Sequence, residues 1–192
     1  SLHFDNFSNI NSYTATLFLS LITGFIFFKI GKNFKDDITA YEQIFLVLLV
    51  YFLISFFYSI PFYFGDYNLS FIDSYFESIS GLTGTGFSVF ENISNLDPPL
   101  ILWRSSSQWI GGFYFLIFII LIFSNKLIGF KFVDFSFNLE KKLNFSSNWL
   151  SVSIRTFFIY FFLTILIFSL FSISGIRFFN SFNLAMTVIS SG

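Results

Sequence analysis

Charged residues in this sequence are clustered, and four long charge-free windows run between the clusters. Residues 6–28 and 43–65 each hold 23 residues, and 105–125 and 156–176 each hold 21. About 20 apolar residues in a helix cross a hydrocarbon core of about 30 Å. The runs 44–58 and 113–123 are apolar on every side and lack the alternation of barrel strands, so each window predicts a spanning helix. Two shorter charge-free stretches, 78–90 and 178–192, do not reach across a bilayer. The first reads SISGLTGTGFSVF, with Gly81, Gly84 and Gly86 among Thr83, Thr85 and Ser88. Such irregular backbone is tolerated at membrane depth only where it lines a cavity or packs on protein.

Composition agrees. Of 192 residues, 55% are hydrophobic, 11% are charged and 35 are Phe, and the mean hydropathy is +0.75. A soluble domain carries about 25% charged residues, so there is too little charge here to cover a wetted surface. The net charge of −1 supplies no basic field for nucleic acid. With no Cys and one His (His3), no disulfide, thiolate or zinc constellation is available. A membrane-embedded enzyme would need His, Cys or paired carboxylates at depth, and the four windows hold none. No enzyme activity and no cofactor are therefore expected.

Lys and Arg set the orientation. With windows alternating sides, one face receives Lys29, Lys32, Lys35, Lys126, Lys131, Lys141, Lys142 and Arg155, and the other only Arg104 and Arg177. The positive-inside rule places the loops 29–42 and 126–155 in the cytoplasm. Both Gly/Ser/Thr-rich segments then start from outside, beside the carboxylates Asp66, Asp73, Glu77, Glu91 and Asp97.

The chain repeats itself weakly. FIDSYFESISGLTGT at 71–85 lies on FFNSFNLAMTVISSG at 178–192 with a constant offset, pairing Ser74 with Ser181, Thr83 with Ser190 and Gly84 with Ser191. Each copy follows a spanning window, which gives a unit of helix, short re-entrant helix, Gly/Thr loop, helix. The short helix is expected over 73–81, with Asp73 as N-cap, Glu77 one turn on and Gly81 as the stop. Its negative end would face the membrane centre and favour a cation there. Backbone carbonyls in a loop with free φ/ψ replace the water ligands of K⁺. Four parts follow: an N-terminal helix and loop (1–42), a first helix–loop–helix repeat (43–125), a cytoplasmic loop (126–155) and a second repeat (156–192). The chain begins at Ser1 and ends inside its second loop, so it is expected to be a fragment.

The run FESISGLTGTG at 76–86 closely resembles the first pore loop of the Trk/Ktr/HKT potassium transporter family, in its TrkH type. WRSSSQWIGG at 103–112 resembles the start of that family's next helix, and 185–192 resembles the start of its second pore loop. The resemblance implies an all-α polytopic integral membrane protein of repeated helix–pore loop–helix units, potassium-channel-like. This chain would supply about 1.5 of four repeats plus one preceding N-terminal helix. It implies a first filter of Thr83, Gly84, Thr85 and Gly86, with Gly86 as the key glycine, and a second of Ser190, Ser191 and Gly192. Many TrkH-type loops carry Thr-Thr-Thr-Gly, from which Gly84 departs. Ser in place of Gly86 is associated in plant relatives with admitting Na⁺, so Gly here favours K⁺. The implied function is potassium uptake across a bacterial cytoplasmic (inner) membrane. The implied partners are K⁺, lipid, a second copy in a homodimer and a cytosolic nucleotide-binding, TrkA-like regulatory subunit. The alternatives are another pore-loop cation channel, a Na⁺-permeable member of the same family, and a non-transporting membrane scaffold.

Further readings bear on the site and its helices. Arg104 either snorkels to headgroups or braces the pore region against Glu77 or Asp73. Gly111-Gly112 allow close helix packing. Trp103, Trp109 and Trp149, near window ends, read as interface anchors, Pro61 as a helix end, and Pro98-Pro99 as a first helical turn.

Overall fold

The computed structural model describes residues 10–32, 40–124 and 149–192. Most of the two basic loops, with Lys35, Lys126, Lys131, Lys141 and Lys142, lies outside the described residues. Six α-helices account for the described chain, which contains no strand. They are α1 (Ile10–Gly31), α2 (Ala40–Tyr63), α3 (Phe71–Leu82), α4 (Pro98–Ser124), α5 (Trp149–Ile173) and α6 (Phe178–Ile189), with one 3₁₀ turn at Ile93–Asn95.

The burial pattern is the reverse of a soluble protein's. Ser55, Ser74, Ser78, Ser107 and Ser181 are fully buried, while Phe25, Phe158 and Phe162 are each about two-thirds exposed. Small residues at the interfaces let helices approach closely, and the bulky apolar side chains face outward, as hydrocarbon solvent requires. This chain is a multi-pass membrane segment. Helices within α1, α2 and α5 are long and apolar enough to cross a bilayer. Helix α4 spans 27 residues but differs. Its first half carries Arg104, Ser105, Ser107 and Gln108, all buried in the bundle, so it packs on protein where the others face lipid.

The repeat predicted from sequence is present in the backbone. Helices α3 and α6 each have 12 residues, and their first and last residues correspond at the predicted offset. Helix α3 runs back along α2, with Ser78 Oγ donating to Ser55 O at 2.6 Å and Tyr75 OH to Phe52 O at 3.3 Å. Phe178 and Phe182 of α6 pack on Phe168 of α5. Helix α4 joins the two units. Tyr51 OH of α2 donates to Gly111 O at 3.3 Å, and Tyr160 OH of α5 donates to Trp109 O at 3.1 Å.

Some local expectations change. Pro61 lies inside α2, which continues to Tyr63. Trp103 and Trp109 are helix-packing residues rather than interface anchors. Trp103 Nε1 donates to Tyr58 O at 3.0 Å, and Trp109 Nε1 donates to Thr164 Oγ1 at 3.0 Å. Trp103 also receives the edge of Tyr13, which docks α1 on the first repeat. Pro98 does open α4, with Leu100 N donating to Asp97 O at 2.9 Å.

Candidate functional site: two loop ends against one helix

Helix α3 starts earlier than the sequence predicts. Ser70 is its N-cap, because Ser70 is extended and its Oγ accepts from Asp73 N at 3.2 Å. Asp73 stands three residues inside, where its Oδ2 accepts from Ser70 Oγ at 2.7 Å. The Ser70 hydroxyl thus caps the helix while it donates to the Asp73 carboxylate, a variant of the capping box in which the acid meets the cap's side chain and not its backbone N–H. Asp73 therefore secures the start of α3 and takes no part in the ion pair described below.

Both short helices end in the same way. After Thr83, Gly84 takes φ +68°; its N–H donates to Gly81 O at 3.1 Å, and Thr85 N donates to Ser80 O at 3.1 Å. After Ser190, Ser191 takes φ +57°; its N–H donates to Val188 O at 3.2 Å, and Gly192 N donates to Thr187 O at 2.9 Å. Each is a Schellman turn, with the left-handed residue just past the cap. Glycine meets this geometry at 84 without cost, whereas Ser191 holds it at about 1–2 kcal/mol. Gly81 is therefore not the stop. It is a contact point: a Cβ there would collide with Ser107 Oγ of α4.

Two adjacent glycines of α4 set the depth at which these turns sit. A Cβ on Gly111 would overlap the Leu82 carbonyl, and one on Gly112 would lie 2.7 Å from Ser190 Cβ. Gly111 stands 13 residues into a 27-residue helix, about 20 Å from its start. The ends of α3 and α6 thus meet α4 near its midpoint, from two sides. The close packing expected of Gly111-Gly112 is present, and it fixes both loops.

The two predicted filters lie together. A Cβ on Gly84 would approach Ser190 O to 3.2 Å, and one on Gly86 would approach the Gly192 carbonyl carbon to 3.9 Å. Thr83 and Thr85 bring their hydroxyls within 2.5 Å of each other. Gly86 takes φ +78°, a second left-handed glycine two residues after Gly84.

A buried ion pair holds the first loop. Glu77, fully buried on α3, faces Arg104 of α4 at 3.3 Å from Oε2 to Nε. Glu77 Oε1 also accepts from Ser88 Oγ and from Val89 N, the latter at 2.5 Å. Arg104 Nη2 donates to Gly86 O at 3.1 Å, and Ser80 Oγ donates to Phe87 O at 2.6 Å. Arg104 thus braces the loop against Glu77, with its side chain 10% exposed, rather than snorkelling. The sequence did not single out Ser80, Val89 or, except within a family pattern, Gln108. Gln108 is 1% exposed and lies against Gly192, whose Cβ would stand 2.8 Å from Gln108 Cδ. Among the described residues no cluster of His, Asp and Glu is placed to hold a metal ion by side chains.

Comparison with known proteins bears on the fold and on the family likeness. Over its whole length the chain is 27% identical to an uncharacterized cation transporter of Methanocaldococcus jannaschii, of which it covers 40%. Over 102 residues, 53% of the chain, it is 30% identical to the Trk system potassium uptake protein TrkH of Salmonella typhimurium, covering 21% of that protein. The TrkG protein of Escherichia coli is 31% identical over 105 residues, covering 50% of the chain and 22% of that protein. The chain is thus similar to Trk potassium uptake proteins over about half of its length. The crystal structure of the potassium transporter TrkH from Vibrio parahaemolyticus superposes with a TM-score of 0.76 at 22% identity, over 93% of the chain and 36% of that structure. The chain thus shares the fold of part of that structure, and it spans less than half the length of these relatives. No protein-family model matches the chain.

Proposed function

We propose that the complete protein moves K⁺ across a membrane through a central pore, and that this chain supplies two of the loops that select the ion. One observation carries the reading. Two short helices end in identical turns against one pair of glycines, and their following residues meet near the midpoint of α4. The negative ends of both helices then favour a cation at that point. The carbonyls of Thr83, Gly84 and Thr85, with Ser190, Ser191 and Gly192 opposite, are the ion's ligands, while Arg104 and Ser80 hold the next two carbonyls in place. Names of relatives support the substrate: those with half-chain matches are potassium uptake proteins. The protein is a transporter and not an enzyme in this reading. The homodimer, the nucleotide-binding subunit on the cytoplasmic loops, and the cytoplasmic membrane as location belong to the same proposal and rest on the family resemblance.

The test is K⁺ uptake by the complete protein in cells stripped of their own uptake systems, with wild type beside Gly86→Ser. Gly86 sits at φ +78°, and a Cβ there meets the Gly192 carbonyl carbon at 3.9 Å, an ordinary contact, so Ser strains the backbone and adds a hydroxyl beside the second loop. Wild type is expected to restore growth at low K⁺, and Gly86→Ser to lower K⁺ uptake severalfold or admit Na⁺. Rescue that the substitution leaves unchanged would overturn the assignment of Gly86.

A further inference from the structure

We propose that Gln108 is a positioning residue for the second loop and helps to set discrimination between K⁺ and Na⁺, an inference that rests on the pore reading above. Gln108 lies four residues beyond Arg104 on α4, on the same face. Arg104 holds the first loop through Gly86 O, and Gln108 meets the second loop at Gly192. The contact crosses from one repeat to the other. A Cβ at 192 would stand 2.8 Å from Gln108 Cδ, 3.0 Å from Nε2 and 3.1 Å from Cγ, so the amide fills the space that a side chain at 192 would need. Gln108 is 1% exposed, and its Oε1 is buried with no hydrogen-bond partner among the described residues. The amide's location, beside the loop end and one turn from the residue that braces the other loop, gives it a function: it fixes where the Gly192 backbone stands relative to Gly84 and Gly86. Carbonyl spacing and rigidity govern which ion replaces its water most cheaply, so a displaced second loop changes selectivity before it changes folding.

The experiment measures Na⁺ and K⁺ uptake by the complete protein in reconstituted vesicles, for wild type, Gln108→Leu, Gln108→Glu and Gly86→Ser. The readout is the Na⁺-to-K⁺ uptake ratio, which loss of folded protein does not move because both rates scale together. Gln108→Leu is expected to raise the ratio on the order of tenfold. Gln108→Glu keeps the size and the acceptor, and is expected to shift the ratio less than Leu does. If Leu yields no measurable transport, a Glu variant with a ratio unlike wild type supports the role, and an unchanged ratio refutes it. A wild-type ratio in a transporting Gln108→Leu protein overturns the proposal. Where Gly86→Ser shifts the ratio and Gln108→Leu does not, this inference alone fails. Where neither does, the pore reading fails with it.

Discussion

Gly111→Val is expected to abolish transport and to lower the yield of folded protein in the membrane. The Cβ alone would overlap the carbonyl group of Leu82, and that contact is backbone, not the end of a flexible side chain. To make room, α3 and α4 must separate at the point where the first loop begins. Overpacking costs about 1–3 kcal/mol in ordinary cores and more where backbone must move. Here the displacement passes directly to residues 83–86. Gly111→Ala acts in the same direction with smaller size. A control separates this effect from helix propensity. Gly24 of α1 has no atom within 4 Å of its Cβ position, so Gly24→Ala should be neutral or slightly stabilising. Uptake assays and unfolding of the purified complete protein in detergent check both. Wild-type uptake in Gly111→Val would mean that α3 does not end against α4.

Removing either member of the Glu77–Arg104 pair is expected to cost about 3–5 kcal/mol, because the survivor is left as a buried, uncompensated charge. The pair is more than a pair. Glu77 also takes Ser88 Oγ and Val89 N, and Arg104 also reaches Gly86 O. A charge swap, Glu77→Arg with Arg104→Glu, restores attraction but puts donors where Val89 N donates and an acceptor where Gly86 O accepts. The swap is therefore expected not to rescue either single variant. Arg104→Lys keeps the charge but loses the planar fork that serves two acceptors at once, so partial function is expected. Unfolding in detergent and K⁺ uptake, run on singles and swap together, check this. Full rescue by the swap would show that the loop does not depend on these hydrogen bonds.

The chain's architecture was legible because charges avoid hydrocarbon. The spacing of Lys29, Glu42, Asp66, Arg104 and Arg177 marked the spans, and the lack of charge with abundant Gly and Thr marked the first loop. The second copy was legible by offset, and its helix bounds match the first. Local chemistry was partly legible. Ser70-Phe-Ile-Asp73 is a readable capping signal that places the cap three residues earlier than Asp73 alone does. Gly84 announced its left-handed turn, whereas Ser191 hides the same turn because serine gives no such signal. What the sequence did not show depends on register between helices distant in the chain. Ser78 against Ser55, Gly81 against Ser107, and Gln108 against Gly192 are each a matter of which small residue falls opposite which. The tryptophans misled for the same reason. Their positions near window ends match an interface belt, but their partners, Tyr58 O and Thr164 Oγ1, lie on helices far off in sequence.

The central claim is that the two loop ends form one cation site. The most direct measurement is anomalous diffraction from crystals of the complete protein soaked in Tl⁺, an electron-rich stand-in for K⁺. A peak among the carbonyl oxygens of Thr83, Gly84 and Thr85 and those of Ser190, Ser191 and Gly192, lost in excess K⁺, is the predicted result. An empty site there, with Tl⁺ bound elsewhere along the pore of a protein that transports K⁺, would contradict it.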